Sequence, residues 1–294
     1  MKWRMFICAI CFLIGGCSLN IPLEDQFSDP DAITDVLSAR SLLASAYKAM
    51  PQQIFQLSVL SDDFCPSQHL NKDMSLQGLY NWREVEMTEL AGTLWAGYYA
   101  VIAEVNALLA RIDAVVTLDE TEKLEKMRIV CEAKALKSWC YFDLLRLFAP
   151  RYEGNENKDG IILKKRVELD FLPRSSVKEC VTEIRTLLNE ARNVDNTQKN
   201  VYWLSDKAVA YLQVELELYA GNYPAVLELT KDLETEYPES VLGADVYKYL
   251  WSSENSDARI FGKYQLEQIY MDIRFDTFEK GDYLVLSQNV DYEE

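Results

Sequence analysis

Apolar residues recur at intervals of three and four along most of this chain. Between Asp31 and Met50, Ile33, Val36, Leu37, Leu43, Ala46, Tyr47 and Met50 fall on one helical face, and Pro51 closes the element. The pattern returns from Leu90 to Ile112, where Leu94, Trp95, Tyr98, Ile102, Val105, Leu109 and Ile112 form a stripe with Asn106 on its edge. Asp119 is placed to cap a third helix, with Glu122 as its capping-box partner. That helix runs to about Phe148, before Pro150. Leu124, Met127, Cys131, Ala135, Leu136, Trp139, Phe142, Leu145 and Phe148 make its apolar face, with Lys123, Glu125, Lys126, Glu132 and Lys134 mainly opposite. Ser175 or Ser176 caps a helix to about Arg192, with Val177, Val181, Ile184, Leu187, Leu188 and Ala191 inward. Ser205 or Asp206 caps another that ends at Gly221, and a return helix follows with Pro224 in its first turn.

Two stretches break the rhythm. "LSVLSDDFCPSQHLNKDMSLQGLYNW" is rich in Ser, Asp and Asn and has no sustained period, which predicts a long loop. Residues 151–173 predict a second loop ending in an extended piece, "IILKKRVEL". After Pro238 the helical signal fades, and "RIFGKYQ" and "DYLVLS" suit short strands or irregular segments. The expected fold is all-α: tetratricopeptide-like helical hairpins with long loops, and minor irregular or β segments near the C-terminus. Residues 205–238 have the tetratricopeptide length of about 34 residues. Gly221, Tyr223 and Pro238 stand where that repeat puts its turn glycine, its aromatic and its closing proline, whereas Glu217 stands where an aromatic is usual. Gly221 is expected to stop its helix sharply, and Tyr223 to pack between the two helices.

The amino end changes the compartment. Lys2 and Arg4 precede an uncharged run from Met5 to Ile14, too short for a bilayer span of about 20 residues, and Gly15, Gly16 and Cys17 follow. Ile14-Gly15-Gly16-Cys17 resembles the bacterial lipobox, which implies removal of residues 1–16 and acylation of Cys17. Several acyl chains make such an anchor stable. The mature chain would then hold 28 basic against 47 acidic residues. That balance disfavours nucleic acid and anionic headgroups and favours solubility. Residues 17–30, with Pro22 and Pro30, read as a tether.

Chemistry-bearing motifs are sparse. The single histidine, His69, lies in a polar stretch without ligand spacing, which leaves no basis for a metal site or a catalytic triad. Cys131 and Cys140 lie about two and a half helical turns apart, too far to bridge, and are expected as buried thiols. P-loop, G-x-G-x-x-G and H-E-x-x-H motifs are missing from the sequence. Asp62-Asp63 is no evidence for glycoside hydrolysis in a chain with 47 acidic residues, so neither an enzyme nor a cofactor is expected.

The ordered set "LLASAYKAM", "LSDDF", "LWAGYYAVIAEVNALLARI", "CEAKALKSWCYFDLLRLFAP" and "DGIILKKRVELDFLPRSSVKECVTEI", with the lipobox and "LYAGNY", resembles the SusD/RagB family of Bacteroidetes outer-membrane lipoproteins. The resemblance covers Cys17 to about Tyr270. It implies a surface-exposed, lipid-anchored outer-membrane protein without catalytic activity. Such a protein binds oligosaccharide or peptide and serves as the lid of a SusC-type TonB-dependent transporter. Members are usually much longer, so this chain corresponds to a short or C-terminally truncated member. Residues 31–240 would be its helical-repeat domain and 241–294 the start of an incomplete C-terminal region. The alternative is a lipid-anchored docking scaffold that binds no nutrient.

A sugar site needs flat aromatic faces and a few fixed polar groups. The stretch from Ser61 onward offers Asp62, Asp63, Asn71, Tyr80, Asn81, Trp82 and Arg83 as substrate-binding candidates, with Trp82 or Tyr80 stacking. On the other reading Asp62 and Asp63 bond to loop backbone, and Trp82 packs against the helix that follows. Trp95, Tyr98, Trp139, Tyr141 and Phe142 are expected in the core. Tyr202 and Trp203 precede a cap and are free to be exposed.

Overall fold

The computed structural model describes residues 33–65, 74–167, 171–192, 202–236 and 285–286. The lipobox cysteine Cys17, the tether, His69, Asn71, Pro238 and "RIFGKYQ" lie outside them. The described residues form α1 (Val36–Lys48), α2 (Ile54–Leu60), α3 (Met74–Tyr80), α4 (Glu84–Arg111), α5 (Glu120–Phe148), α6 (Val177–Ala191), α7 (Asp206–Tyr219) and α8 (Tyr223–Glu236). A short antiparallel ladder pairs Phe64 with Leu286 and Cys65 with Val285. The all-α expectation holds, with its minor β segment inside "DYLVLS".

Helix α5 is the hub: it packs against α4 and α6 as chain neighbours, and against α1 and α7. Its side chains Ala135, Leu136, Cys140, Tyr141, Leu144 and Leu145 are buried in one continuous core with Leu43, Ile102, Val105, Ile184 and Leu188. Cys131 and Cys140 are buried free thiols, as expected, and so is Cys180.

The starts of the helices are fixed locally. Asp35 accepts from Ser38 N at 2.7 Å, and Ser38 Oγ accepts from Asp35 N at 3.2 Å. Ser176 and Glu179 form the same reciprocal box, with Ser176 N donating to Glu179 at 2.8 Å. Ser205 caps α7. These exchanges satisfy N–H groups that have no partner inside the helix. Asp119 caps α5 at 2.8 Å, but Glu122 accepts from Leu118 N rather than from Asp119 N, so the expected box reaches one residue further back.

Several expectations change with tertiary context. The expected first loop overlaps the end of α2 and contains α3, helices of about two turns whose Val59, Leu76 and Leu79 bury against the core. Such helices are too short to show a period. Helix α4 starts at Glu84, a turn and a half before its apolar stripe. Leu37, Leu124 and Met127 face solvent, whereas Glu132 is fully buried. Burial of Glu132 is compensated by Arg40 of α1, which bonds it at 2.8 Å and bonds Glu125 at 2.9 Å. Trp203 is half-buried: Tyr47 meets it edge-on at 5.1 Å, and the Arg40 guanidinium lies 4.8 Å from its ring.

The α7–α8 hairpin keeps the repeat's turn but alters its packing. Gly221 sits at φ +71°, a conformation open to glycine. Tyr223 is exposed, and the two helices meet instead through Ala210, Val214 and Leu233 with Val226 and Leu229. Glu217, in the repeat's aromatic place, is buried and receives hydrogen bonds from Arg185 at 3.0 Å and Asn222 at 2.8 Å.

Candidate functional site

Three helices end in one and the same turn. After α3, Arg83 N donates to Gly78 O at 2.8 Å and Trp82 N to Leu79 O at 3.0 Å. After α2, Asp63 N donates to Ser58 O at 3.0 Å and Asp62 N to Val59 O at 3.4 Å. After α7, Asn222 N donates to Glu217 O at 2.8 Å and Gly221 N to Leu218 O at 3.1 Å. Each is the paired 6→1 and 5→2 arrangement that closes a helix through one left-handed residue. Gly221 fills that position after α7. Asp62 (φ +65°) and Trp82 (φ +54°) fill it after α2 and α3. Asp is tolerated there because it is short and polar. Trp is not, because its Cβ crowds the carbonyl, at about 1–2 kcal/mol.

Among the described residues, Trp82 takes no part in the buried core or the side chains packed against it. Its side chain is 64% exposed. Trp82 therefore stands largely in solvent at the end of α3. Beside it, Arg83 pairs with Glu86 at 3.1 Å, and Asn81 Nδ2 donates to Gln77 O at 2.7 Å. Tyr80 is half-buried and packs against the core. Asp62 and Asp63 are exposed, and Asp63 accepts from Ser61 Oγ at 2.9 Å. The structure thus brings Tyr80, Asn81, Trp82 and Arg83 into one turn and puts Asp62 and Asp63 in the turn after α2. Helices α2 and α3 pack against each other. Asn71 lies outside the described residues. Chemically the turn offers a flat apolar face, a guanidinium and an amide, which suits recognition of a polar ring. Among the described residues there is no group of three or more His, Cys, Asp or Glu side chains that could hold a metal ion.

A second concavity lies on α4. Trp95, Tyr99, Ile162, Lys164, Phe171, Leu172 and Pro173 line a cavity of about 550 Å³. Tyr98, Tyr141 and Phe142 are buried as expected, whereas Trp139 is half-buried and so is Trp95. Its ring lies 4.9 Å from Tyr99, tilted by 50°, and meets Phe148 edge-on at 5.0 Å. The Arg174 guanidinium sits 5.0 Å from it and donates to Phe148 O and Gly160 O, both at 2.9 Å. The Tyr99 hydroxyl donates to Ile162 O at 2.8 Å and accepts from Ile162 N at 2.9 Å. Burial raises its pKa to about 12. This groove was hidden in the sequence because Trp95 and Tyr99 flank the Leu94–Tyr98 line by one residue. That offset, four residues apart on one helix, is the signal that separates them from the core.

Comparison with known proteins gives one consistent family. The family described as starch-binding and associating with the outer membrane, the SusD-like group, matches residues 23–215. No curated protein matches the chain. Among solved structures, it is similar to a SusD-like carbohydrate-binding protein from Bacteroides vulgatus, with a TM-score of 0.69 and 17% identity over 83% of this chain and 55% of that one. It is also similar to a laminarin-binding SusD-like protein, with a TM-score of 0.58 and 20% identity over 76% of this chain and 50% of that one. A surface glycan-binding protein A from Bacteroides fluxus aligns with a TM-score of 0.57 and 18% identity over 79% and 51%. At these identities the likeness is one of fold, and the chain spans about half the length of the solved structures it matches. The family's description is of binding, not of catalysis. With a match over more than half of its length, on the hairpin fold expected for it, this chain belongs to the SusD-like family.

Proposed function

We propose that this chain is a lipid-anchored outer-membrane protein that binds oligosaccharide, with peptide as the other ligand class. On this reading it is the lid and partner of a SusC-type TonB-dependent transporter. Residues 1–16 are the signal peptide, Cys17 carries the lipid and 17–30 form the tether. Residues 31–240 form the repeat domain, and 241–294 begin a C-terminal region. The family's description supports membrane association and glycan binding. The glycan-binding neighbours support the same ligand class.

The observation that carries the reading is Trp82. A solvent-exposed indole occupies a backbone position where glycine is the unstrained choice. Local strain that packing does not use is a mark of function. Trp82 stacks on the apolar face of a sugar ring, and Arg83 and Asn81 reach its hydroxyls. Asp62, Asp63, Asn71 and Tyr80 complete the candidate set.

For the transporter, the last hairpin supplies an apolar surface. Tyr211, Leu218, Tyr223 and Leu227 are all exposed.

The test is retention of the purified chain on immobilised glucans, with Trp82→Ala alongside. Retention that falls in the variant supports the reading. Co-purification with a transporter without retention on any glycan leaves the docking scaffold as the function. Labelling with radioactive palmitate, lost in Cys17→Ser, tests the anchor.

A further inference from the structure

The corner between α3 and α4 is built from residues that its backbone does not ask for. Helices α1, α5, α6 and α7 start on Asp35, Asp119, Ser176 and Ser205, whose side chains accept from the backbone of the helix. Helix α4 starts on Arg83, whose side chain makes no such bond. An arginine is a poor cap, and its charge opposes the positive end of the helix dipole. Gly78 lies inside α3 without a positive φ, where alanine is the better helix former. Trp82, between the two in the chain, holds the left-handed position.

One side chain accounts for the glycine and the arginine together. Glu86, in the first turn of α4, lies across Gly78: a Cβ there would fall on the Glu86 carboxyl group and 2.6 Å from Glu86 Cγ. From that seat Glu86 Oε1 meets the Arg83 guanidinium at 3.1 Å. The Glu86 side chain is only 17% exposed, so it is held in place rather than free in solvent. Its charge offsets that of Arg83 at the helix start. The Gly78 carbonyl meanwhile accepts from Arg83 N at 2.8 Å. The same glycine therefore closes the turn with its carbonyl and makes room for the carboxylate with its missing side chain. The turn that carries Trp82 is thus tied to α3 through Gly78 O and to α4 through Glu86.

We infer that Glu86 is a positioning residue for ligand binding at Trp82: seated over Gly78 and bonded to Arg83, it fixes the attitude of the turn on which the indole stands. This rests on the reading of that turn as a glycan site. Arg83 serves here as a strut, already paired, and no free charge is asked of it. A turn fixed before binding spares the ligand the cost of ordering it, which for one long side chain is about threefold to tenfold in affinity.

The experiment is affinity electrophoresis of the full chain in gels holding soluble starch or laminarin, with chemical denaturation in parallel. Glu86→Ala should lower affinity about threefold to tenfold. Glu86→Gln keeps the shape and an acceptor oxygen for Arg83 and should retain wild-type affinity. Gly78→Ala displaces only the far end of a flexible side chain and adds a helix former. Its denaturation midpoint should hold or rise, while its affinity falls as far as in Glu86→Ala. The double variant should lose no more than either single one, because both remove the same seat. Trp82→Ala tests the glycan reading by itself. If retention depends on Trp82 but is unaltered in Glu86→Ala and Gly78→Ala, the inference alone is overturned. A Glu86→Gln chain as weak as Glu86→Ala overturns it as well, and so does a double variant that shows the product of the two single losses. A wild-type chain that is not retarded by either glucan overturns the glycan reading and the inference together.

Discussion

Trp82 and Gly221 occupy the same position of the same turn: each is the left-handed residue that closes a helix through a 6→1 and a 5→2 hydrogen bond. One is the residue that the geometry favours and the other is among those it tolerates least. Exchange of side chains therefore separates folding from binding. Trp82→Gly relieves the crowding but widens the unfolded ensemble, so stability should hold or rise by up to about 1 kcal/mol. Glycan affinity should fall about tenfold, the scale of one lost aromatic stacking contact with its buried area. Gly221→Trp should destabilise by about 1–2 kcal/mol. Urea denaturation and affinity electrophoresis check the pair. A Trp82→Gly chain that is strongly destabilised would show the indole to be structural.

Arg40 and Glu132 form the buried ion pair that joins α1 to α5. Arg40→Met removes the charged partner of a fully buried carboxylate and should cost about 3 kcal/mol or more. The double variant Arg40→Met with Glu132→Met should recover most of that loss, because two apolar side chains need no partners. A double-mutant cycle by chemical denaturation measures the coupling. Additive losses would mean that the pair does not act as a unit.

Lys137 is buried beside Asn106, to which it donates at 2.6 Å, and burial lowers its pKa to about 8. The unfolded chain holds this proton up to about 10.5. Between these values the unfolded state binds more protons, so stability rises with pH. The thiols of Cys131 and Cys180 oppose the trend above about 9, and Tyr98 and Tyr141 above about 10, because burial raises their pKa values and their ionisation favours unfolding there. The expected result is a stability that rises by about 1 kcal/mol between pH 8 and about pH 9, read from chemical denaturation. Lys137→Met should flatten the curve. An equal slope in the variant would assign the effect to other groups.

Gly160 closes the segment that leads into α6, donating to Ser175 O at 2.7 Å. A Cβ there would lie 2.8 Å from Cys180 Sγ and 3.0 Å from Ser175 O. Gly160→Ala should therefore destabilise by about 1–3 kcal/mol through overpacking. Gly154→Ala makes a useful contrast. Open space surrounds that position, and only its φ of +77° resists the change. Thermal melts of the two variants distinguish crowding from backbone strain.

The long helices were legible because their apolar spacing runs for many turns and their caps carry short-range partners. Asp119, Ser176 and Ser205 mark their starts within three residues of sequence, whereas the first helix starts at Val36 behind the cap Asp35 and not at Asp31. The same locality made Gly221 readable as a turn. Of the candidate site, the residue types of the Trp82 turn were visible, but its backbone was not. A left-handed tryptophan leaves no trace in composition or spacing, and α2 and α3 are too short for periodicity to reveal.

What the sequence alone determined is therefore whatever depends on neighbours a few positions away: helix stripes, caps, the glycine turn and the motifs that resemble the family. Tertiary structure decided which positions on those stripes are covered. It buried Glu132 against Arg40, left Leu124 and Met127 in water, and set Trp95 at the edge of a groove. Burial depends on partners far along the chain, such as Arg40 and Glu132 with a separation of 92 residues, and no local spacing encodes that distance.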